Sequence, residues 1–138
     1  MESVAPYAFG IISLLIFVLI VLVQSALVGA SKAKAGMVPG SEPDADYDQP
    51  LYRMNRSHQN GVEIMPAAAV ALIIAILAGV SSWWVNLLMG LFLLTRVIYV
   101  LIYAQNIGKP TQGVRTMVYV AGWATLVVLC LMAIWALL

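Results

Sequence analysis

Charged side chains are scarce in this chain, which has seven Lys or Arg and six Asp or Glu among 138 residues and a net charge of +1. So small a net charge gives no electrostatic basis for binding nucleic acid. The single cysteine, Cys130, excludes an internal disulfide and a thiolate metal cluster, and we expect it to serve in packing. The single histidine, His58, has no second His or Cys beside it in the sequence, so we expect no metal site.

Apolar residues, by contrast, make up 63% of the chain. Soluble domains contain about 45–50% apolar residues, and a water-soluble globule of this size would leave much of the excess exposed to water. The composition therefore excludes an ordinary soluble enzyme and a disordered chain. It predicts an integral membrane protein, whose function must reside in its few polar residues.

Four long stretches of the sequence carry no charge: residues 3–31, 64–95, 97–108 and 116–138. A spanning helix needs about 20 mostly apolar residues, and the sequence GVSS at 79–82 supplies a turn between two such helices. The first stretch opens with Glu2 and exceeds the apolar core of a signal peptide, so we expect it to be retained. We predict an all-α, four-transmembrane-helix bundle forming a single domain, 1–138, with spans at about 7–31, 50–79, 83–105 and 114–138 and a loop at 32–49.

The basic residues lie on only two of the connections between spans. The first connection holds Lys32, Lys34, Arg53 and Arg56, and the third holds Lys109 and Arg115. Because loops rich in Lys and Arg stay in the cytoplasm, we expect both connections there, in an inner membrane or an endomembrane. We expect Trp83, Trp84 and Trp135 to lie at the opposite, non-cytoplasmic interface of the membrane, because tryptophan side chains favour membrane interfaces.

The first connection differs in composition from the rest of the chain. Residues 35–50 read AGMVPGSEPDADYDQP, with three Pro, two Gly and four acidic residues. Such a stretch is typical of an exposed loop, and we expect its acids to keep it solvated. The spacing of an EF-hand calcium loop is not present.

Four polar residues lie on one stripe at the start of the second span, because the intervals between Arg53, Arg56, Asn60 and Glu63 are three, four and three. A carboxylate at the start of an apolar run is costly unless it has a partner or a polar pocket. Two interpretations stay open. The stripe is either an interfacial anchor, in which Glu63 pairs with Arg56 or Arg53, or a functional cluster.

The third and fourth spans carry matching polar groups. Arg96, Tyr99 and Tyr103 share one helix face, and Arg115 lies four residues before Tyr119. An arginine within a span faces other helices or a polar cavity. These groups, together with the stripe on the second span, suit a small, polyanionic, peptide-like ligand at the cytoplasmic end of the bundle, because arginine binds carboxylates in bidentate fashion.

The same residues resemble a known family. Residues 56–66, RSHQNGVEIMP, resemble the Arg-x-x-x-Asn-x-x-Glu-x-x-Pro signature of the MAPEG superfamily, the membrane-associated proteins in eicosanoid and glutathione metabolism. Arg96, Tyr99 and Tyr103 resemble its third-helix motif, and Arg115 with Tyr119 resembles the arginine–tyrosine pair of the prostaglandin E synthase branch. The chain looks most similar to the leukotriene-C synthase and microsomal glutathione transferase branches.

The resemblance implies a homotrimer that binds glutathione, as a co-substrate, between subunits near the cytoplasmic face. It implies Arg115 as the residue that activates the thiol. Its implied glutathione-binding positions are Arg53, Arg56, Asn60, Glu63, Tyr99, Tyr103, Tyr119 and Lys34. Lys34 and Lys32 stand where the family uses an arginine after its first helix.

The function expected from the resemblance is that of a glutathione transferase or peroxidase that activates the thiol for attack on lipophilic electrophiles or lipid hydroperoxides, which arrive from the lipid. Three alternatives remain: a non-catalytic scaffold of the same fold that binds a lipid, a small transporter subunit in which Glu63 couples to protons, and a purely structural four-helix protein.

Overall fold

The chain folds into four long antiparallel helices, as seen in a computed structural model that describes residues 4–109 and 113–138. A short 3₁₀ helix, Ala5–Tyr7, leads into the first of them. The helices are α1 at Ala8–Lys34, α2 at Pro50–Leu77, α3 at Ser82–Ala104 and α4 at Val114–Leu137. All four are long and apolar enough to cross a membrane, so the predicted four-helix membrane bundle is confirmed.

The end of α1 is the main correction to the predicted boundaries. The sequence predicts a span over 7–31 and a loop over 32–49, but α1 continues through Lys34 and leaves a loop of 35–49. Lys32 and Lys34 lie in its last turn, where their charges favour the negative end of the helix dipole. The helix stops where Gly36 takes a φ of +69°, a value that favours glycine. Similarly, α2 ends at Leu77, two residues before the predicted boundary at Gly79, whose φ is +76°.

The core of the bundle is formed by small and aromatic side chains that interlock. Ala68, Ala71 and Ala75 form a buried small-residue face on α2, which lets neighbouring helices approach closely. Against it, the rings of Phe17 and Phe92 meet edge to face at 5.1 Å. Large apolar side chains remain exposed on the outside of every helix, the pattern of a surface that faces lipid or another subunit.

The two ends of the bundle differ in chemistry. At one end, which we call the tryptophan end, Trp84 and Trp135 line a common cleft. There the Tyr7 hydroxyl donates to the carbonyl oxygen of Val80 at 2.8 Å, and Asn86 donates to that of Pro6 at 2.8 Å. The opposite end carries the first and third connections, and we call it the basic end.

The loop at 35–49 is anchored to the basic end. The Lys32 ammonium donates to the carbonyl oxygen of Ser41 at 2.8 Å, and the buried Asn55 amide donates to the Glu42 carboxylate at 2.5 Å. The composition alone predicted that all four acids of the loop simply keep it solvated. Glu42 does more than that, because it also accepts a hydrogen bond that anchors the loop. The other three acids of the loop are exposed: Asp44, Asp46 and Asp48.

Candidate functional site

Arg53 joins three segments at the basic end. Pro50 occupies the first turn of α2, a position that proline tolerates well, and one turn later the buried Arg53 turns toward the loop. Its Nε donates to the carbonyl oxygen of Tyr103 at 3.0 Å, and its Nη1 donates to those of Tyr47 at 2.6 Å and Asp48 at 3.0 Å. Nε and Nη1 thus donate to backbone oxygens, and Nη2 is the nitrogen left to donate to a ligand.

The remaining polar residues of the α2 stripe turn progressively outward. Arg56 is half-buried and its Nη1 donates to Gln59 Oε1 at 2.8 Å, whereas Glu63 is exposed. Within residues 4–109 and 113–138, the one ion pair joins Lys32 to Glu42 at 3.9 Å. In this part of the chain Glu63 therefore forms no ion pair with Arg56 or Arg53, as the anchoring interpretation would require. Glu63 is exposed on the surface of the bundle.

Arg96 forms a cluster inside the bundle, where it is only 2% exposed. Its Nη1 donates to Asn60 Oδ1 at 2.9 Å, and its Nη2 lies 3.5 Å from the carbonyl oxygens of Val118 and Tyr119. Its Cζ lies 5.0 Å from the centre of the Tyr99 ring and 6.0 Å from that of Tyr119. These contacts bring together three of the predicted site residues, Asn60, Tyr99 and Tyr119, on three different helices.

Gly122 makes room for this buried guanidinium. A Cβ atom built on Gly122 would lie 2.6 Å from Arg96 Nη2 and 2.6 Å from Thr95 Oγ1, closer than van der Waals contact allows. A side chain at this position of α4 would therefore force the Arg96 guanidinium and the Thr95 hydroxyl to shift. The guanidinium that would move is the group that donates to Asn60.

The contact with Arg96 determines what the Asn60 amide offers to a ligand. A guanidinium has donors and no acceptor, so the group that faces it must be the Asn60 oxygen. The Asn60 NH₂ group then remains as the donor. Asn60 is suited to recognise a carbonyl or carboxylate oxygen.

Arg115 forms the second buried cluster, at the basic end, and is 3% exposed. Its Nε donates to the carbonyl oxygen of Ile107 at 3.0 Å and its Nη2 to Asn106 Oδ1 at 2.7 Å. Its Cζ lies 4.8 Å from the centre of the Tyr47 ring and 5.0 Å from that of Tyr103. The aromatic faces stabilise the cation where no carboxylate of the described chain does.

The two clusters are joined by a pair of tyrosines. Tyr99 and Tyr103 lie one turn apart on α3, with ring centres 4.6 Å apart. Tyr99 contacts Arg96 and Tyr103 contacts Arg115, so the four side chains form a continuous row from the interior to the basic end. In the described chain, Arg96 Nε and Arg115 Nη1 are buried without a hydrogen-bond partner. The row therefore carries two positive charges and unused donors.

Lys34 lies apart from this row. It lines a cavity of about 740 Å³ between α1, α2 and α3 whose wall also includes Tyr103. Tyr103 is thus the one predicted site residue that borders both the cavity and the Arg115 cluster. No group of three or more His, Cys, Asp or Glu side chains that would suit a metal ion occurs in 4–109 or 113–138.

Two residues of the Arg115 cluster are not predicted by the sequence. Tyr47 lies in a loop without periodicity, among acids that suggest only solvation, and Asn106 follows the end of α3 with a φ of +55°. The one available signal is that Tyr47 is the only aromatic residue in the loop at 35–49.

A comparison with protein families places this geometry in context. The family model described as "MAPEG family" matches residues 9–135, nearly the whole chain. No curated protein matches the chain significantly.

Proposed function

We propose, from the premise that this chain belongs to the MAPEG family, that it is a membrane-embedded glutathione transferase or peroxidase. Glutathione is the co-substrate, and lipophilic electrophiles or lipid hydroperoxides are the second substrate. The observation that carries the proposal is the row of Arg96, Tyr99, Tyr103 and Arg115, in which two buried guanidinium groups lack any carboxylate partner within the described chain. Such a row favours an anionic ligand.

The binding half of the site is formed by α2. The Asn60 NH₂ group donates to a carbonyl oxygen of the tripeptide, since its own oxygen is occupied by Arg96. The half-buried Arg56 binds a carboxylate of glutathione, and the exposed Glu63 accepts its α-ammonium group. Because Glu63 faces out of the protomer, a neighbouring protomer completes the site, which supports the homotrimer.

The activating half is the Arg115 cluster. A free thiol has a pKa of about 8.5, and the thiolate is the nucleophile. Each unit by which the thiol pKa falls needs about 1.4 kcal/mol of preferential stabilisation of the thiolate. Arg115 supplies this stabilisation, because its charge lies among the Tyr47 and Tyr103 rings in a partly dry environment where electrostatic interactions are strong.

The chemical step follows from this arrangement. With an electrophilic carbon, the thiolate attacks that carbon, the carbon–sulfur bond forms, and the leaving group departs with its electron pair. With a lipid hydroperoxide, the thiolate attacks the terminal oxygen, the oxygen–oxygen bond breaks and the alcohol leaves, and a second glutathione converts the resulting sulfenic acid to the disulfide and water. The electrophile arrives from the lipid along the apolar surfaces of α1 and α4, where large apolar side chains are exposed. Since basic connections stay in the cytoplasm, the basic end and its site face that compartment.

Glutathione binding tests the proposal directly. Millimolar glutathione should raise the Tm of the detergent-solubilised protein, because a ligand that binds only the native state stabilises it. Glu63→Gln should weaken binding by about tenfold, since it removes one charge-assisted contact. It should leave the trimer intact. Asp44→Asn, which removes an exposed acid of the loop, is the matched control. An unchanged Tm at millimolar glutathione contradicts the proposal.

A further inference from the structure

The end of α3 forms a regular helix-capping motif. The N–H of Ile107 donates to the carbonyl oxygen of Ile102 at 2.9 Å. The N–H of Asn106 donates to the carbonyl oxygen of Tyr103 at 3.4 Å. Together these two hydrogen bonds define a Schellman motif, in which one residue beyond the helix end takes a left-handed conformation. That residue is Asn106, with a φ of +55°.

Asparagine is the less common residue at this position of the motif. Glycine adopts a left-handed conformation without steric cost and is the residue most often found there, whereas asparagine is tolerated but less favourable. The same connection uses glycine two residues later, at Gly108, where φ is +80°. The feature that glycine could not supply at position 106 is a side chain.

The Asn106 side chain holds one edge of the Arg115 guanidinium. Arg115 Nη2 donates to Asn106 Oδ1 at 2.7 Å, and Nε donates to the carbonyl oxygen of the next residue, Ile107, at 3.0 Å. Because a guanidinium is a rigid planar fork, two acceptors on the edge that Nε and Nη2 share fix its orientation. The third nitrogen, Nη1, is buried and has no hydrogen-bond partner within 4–109 or 113–138. The capping motif of α3 thus determines where Nη1 and the positive charge lie.

The acceptor is neutral, which preserves the positive charge of Arg115. Arg115 is the second residue of α4, where the positive end of the helix dipole disfavours a cation, whereas the carbonyl oxygens at the end of α3 favour one. No carboxylate of the described chain lies within ion-pairing distance of Arg115. A carboxylate in place of the Asn106 amide would hold the guanidinium equally well, but it would also offset its charge.

We propose that Asn106 is a positioning residue for the proposed thiol chemistry, because its amide oxygen orients the Arg115 guanidinium toward the thiol and leaves the charge of the guanidinium intact. This assignment rests on the proposed function. Asn106 acts through Arg115 and takes no part in the chemical step. Ionisation of the bound thiol should therefore depend on a side chain that lies outside the four helices.

Asn106→Gly tests the proposal, because glycine suits the left-handed backbone and only the side-chain acceptor is lost. The Tm of the detergent-solubilised, full-length protein should stay close to that of the parent. Ultraviolet absorbance of the glutathione thiolate, followed as a function of pH, should show the bound thiol ionising about one unit higher. Turnover of an aryl halide should fall about tenfold at pH values well below the thiol pKa and about threefold at pH 7, and it should recover at high pH. Gln105→Ala, which removes the neighbouring exposed side chain, is the matched control and should change none of these measurements.

Asn106→Asp separates orientation from charge. It keeps an acceptor for Arg115 Nη2 and adds a negative charge beside the guanidinium, so the bound thiol should ionise at a pH at least as high as in Asn106→Gly. An Asn106→Asp protein that behaves as the parent overturns the requirement for a neutral acceptor. Ionisation at the parent's pH in Asn106→Gly, or a loss of turnover that is the same at every pH, overturns the assignment of Asn106 alone. A parent protein in which glutathione ionises no more readily than in free solution overturns the proposed function itself, and this assignment with it.

Discussion

Arg96 and Arg115 are both buried, at 2% and 3% exposure, but different kinds of structure hold them. The partners of Arg96 lie on α2, α3 and α4, and include the Asn60 side chain and the space left by Gly122. The hydrogen-bond partners of Arg115 lie in a connection, since Asn106 and Ile107 follow α3. Of the two rings beside it, Tyr47 belongs to the loop at 35–49 and Tyr103 to α3.

The difference suggests a division of roles between the two clusters. Arg96 is fixed by helix packing and orients Asn60, the amide that binds glutathione in the proposed function. Arg115 is held by segments that depend less on helix packing, and its hydrogen bonds to Ile107 and Asn106 still leave Nη1 without a partner in the described chain. We therefore assign organisation of the binding half to Arg96 and activation of the thiol to Arg115, and three substitutions test that division.

The largest effect is expected from Arg115→Ala. If Arg115 lowers the thiol pKa by about two units, from about 8.5 to about 6.5, its loss should reduce the thiolate fraction, and with it turnover of an aryl halide, by about 25-fold at pH 7. The activity lost should return as the pH rises, because the thiol then ionises without help. Turnover as a function of pH measures this shift, and the glutathione-induced change in Tm shows whether binding is retained.

Two further variants separate charge from hydrogen bonding at this position. Arg115→Lys keeps the positive charge and should retain most of the turnover, whereas Arg115→Gln keeps polar contacts without the charge and should resemble Arg115→Ala. Lys109→Ala removes an exposed cation from the connection that precedes α4 and should have no effect. Equal losses of turnover and glutathione binding in Arg115→Ala would assign Arg115 to ligand holding, and the proposed division would be wrong.

Gly122→Ala is expected to have the next largest effect, on stability. The new Cβ meets Arg96 Nη2 and Thr95 Oγ1 at 2.6 Å each, and overpacking of this kind costs about 2 kcal/mol. The Tm in detergent should fall and glutathione should bind more weakly, because Arg96 no longer orients Asn60. The pH at which the bound thiol ionises should stay unchanged.

Gly29 provides the matched control for that substitution. It also lies in a helix, but an added Cβ there meets no atom within 4 Å. Gly29→Ala should leave the Tm unchanged or slightly higher, since alanine is the better helix former by about 1 kcal/mol. If both variants behaved alike, Arg96 would not depend on the space at Gly122.

The fold was predictable because it depends on features that extend along the chain. Uncharged stretches of the right length predict the four spans, and helical spacing predicts that Arg96, Tyr99 and Tyr103 share a face, where they are indeed in contact. The exact ends of α1 and α2 were less predictable, because single residues such as Gly36 decide them through a local φ.

The candidate site was predictable only in part, because its details depend on tertiary contacts. The spacing on α2 predicts a stripe, but Glu63 turns outward while Asn60 turns inward to Arg96. Nothing in the sequence around Asn60 shows that its side-chain oxygen accepts a hydrogen bond from Arg96. Likewise, Tyr47 reaches Arg115 through the fold of an aperiodic loop, for which no spacing rule exists.

The smallest effect is expected from Tyr47→Ala, and it tests whether the loop takes part in activation. The Tyr47 ring lies 4.8 Å from Arg115 Cζ, and its removal would admit water and weaken the action of the guanidinium on the thiol by about 0.7 kcal/mol. The pH–rate profile should shift upward by about half a unit, so turnover should fall about threefold at pH values well below the thiol pKa and about 1.5-fold at pH 7. Tyr47→Phe keeps the ring and should behave as the parent protein. If Tyr47→Phe lost as much turnover as Tyr47→Ala, the hydroxyl rather than the aromatic face would be the group that acts, and the Arg115 cluster would no longer differ from the Arg96 cluster in the way described.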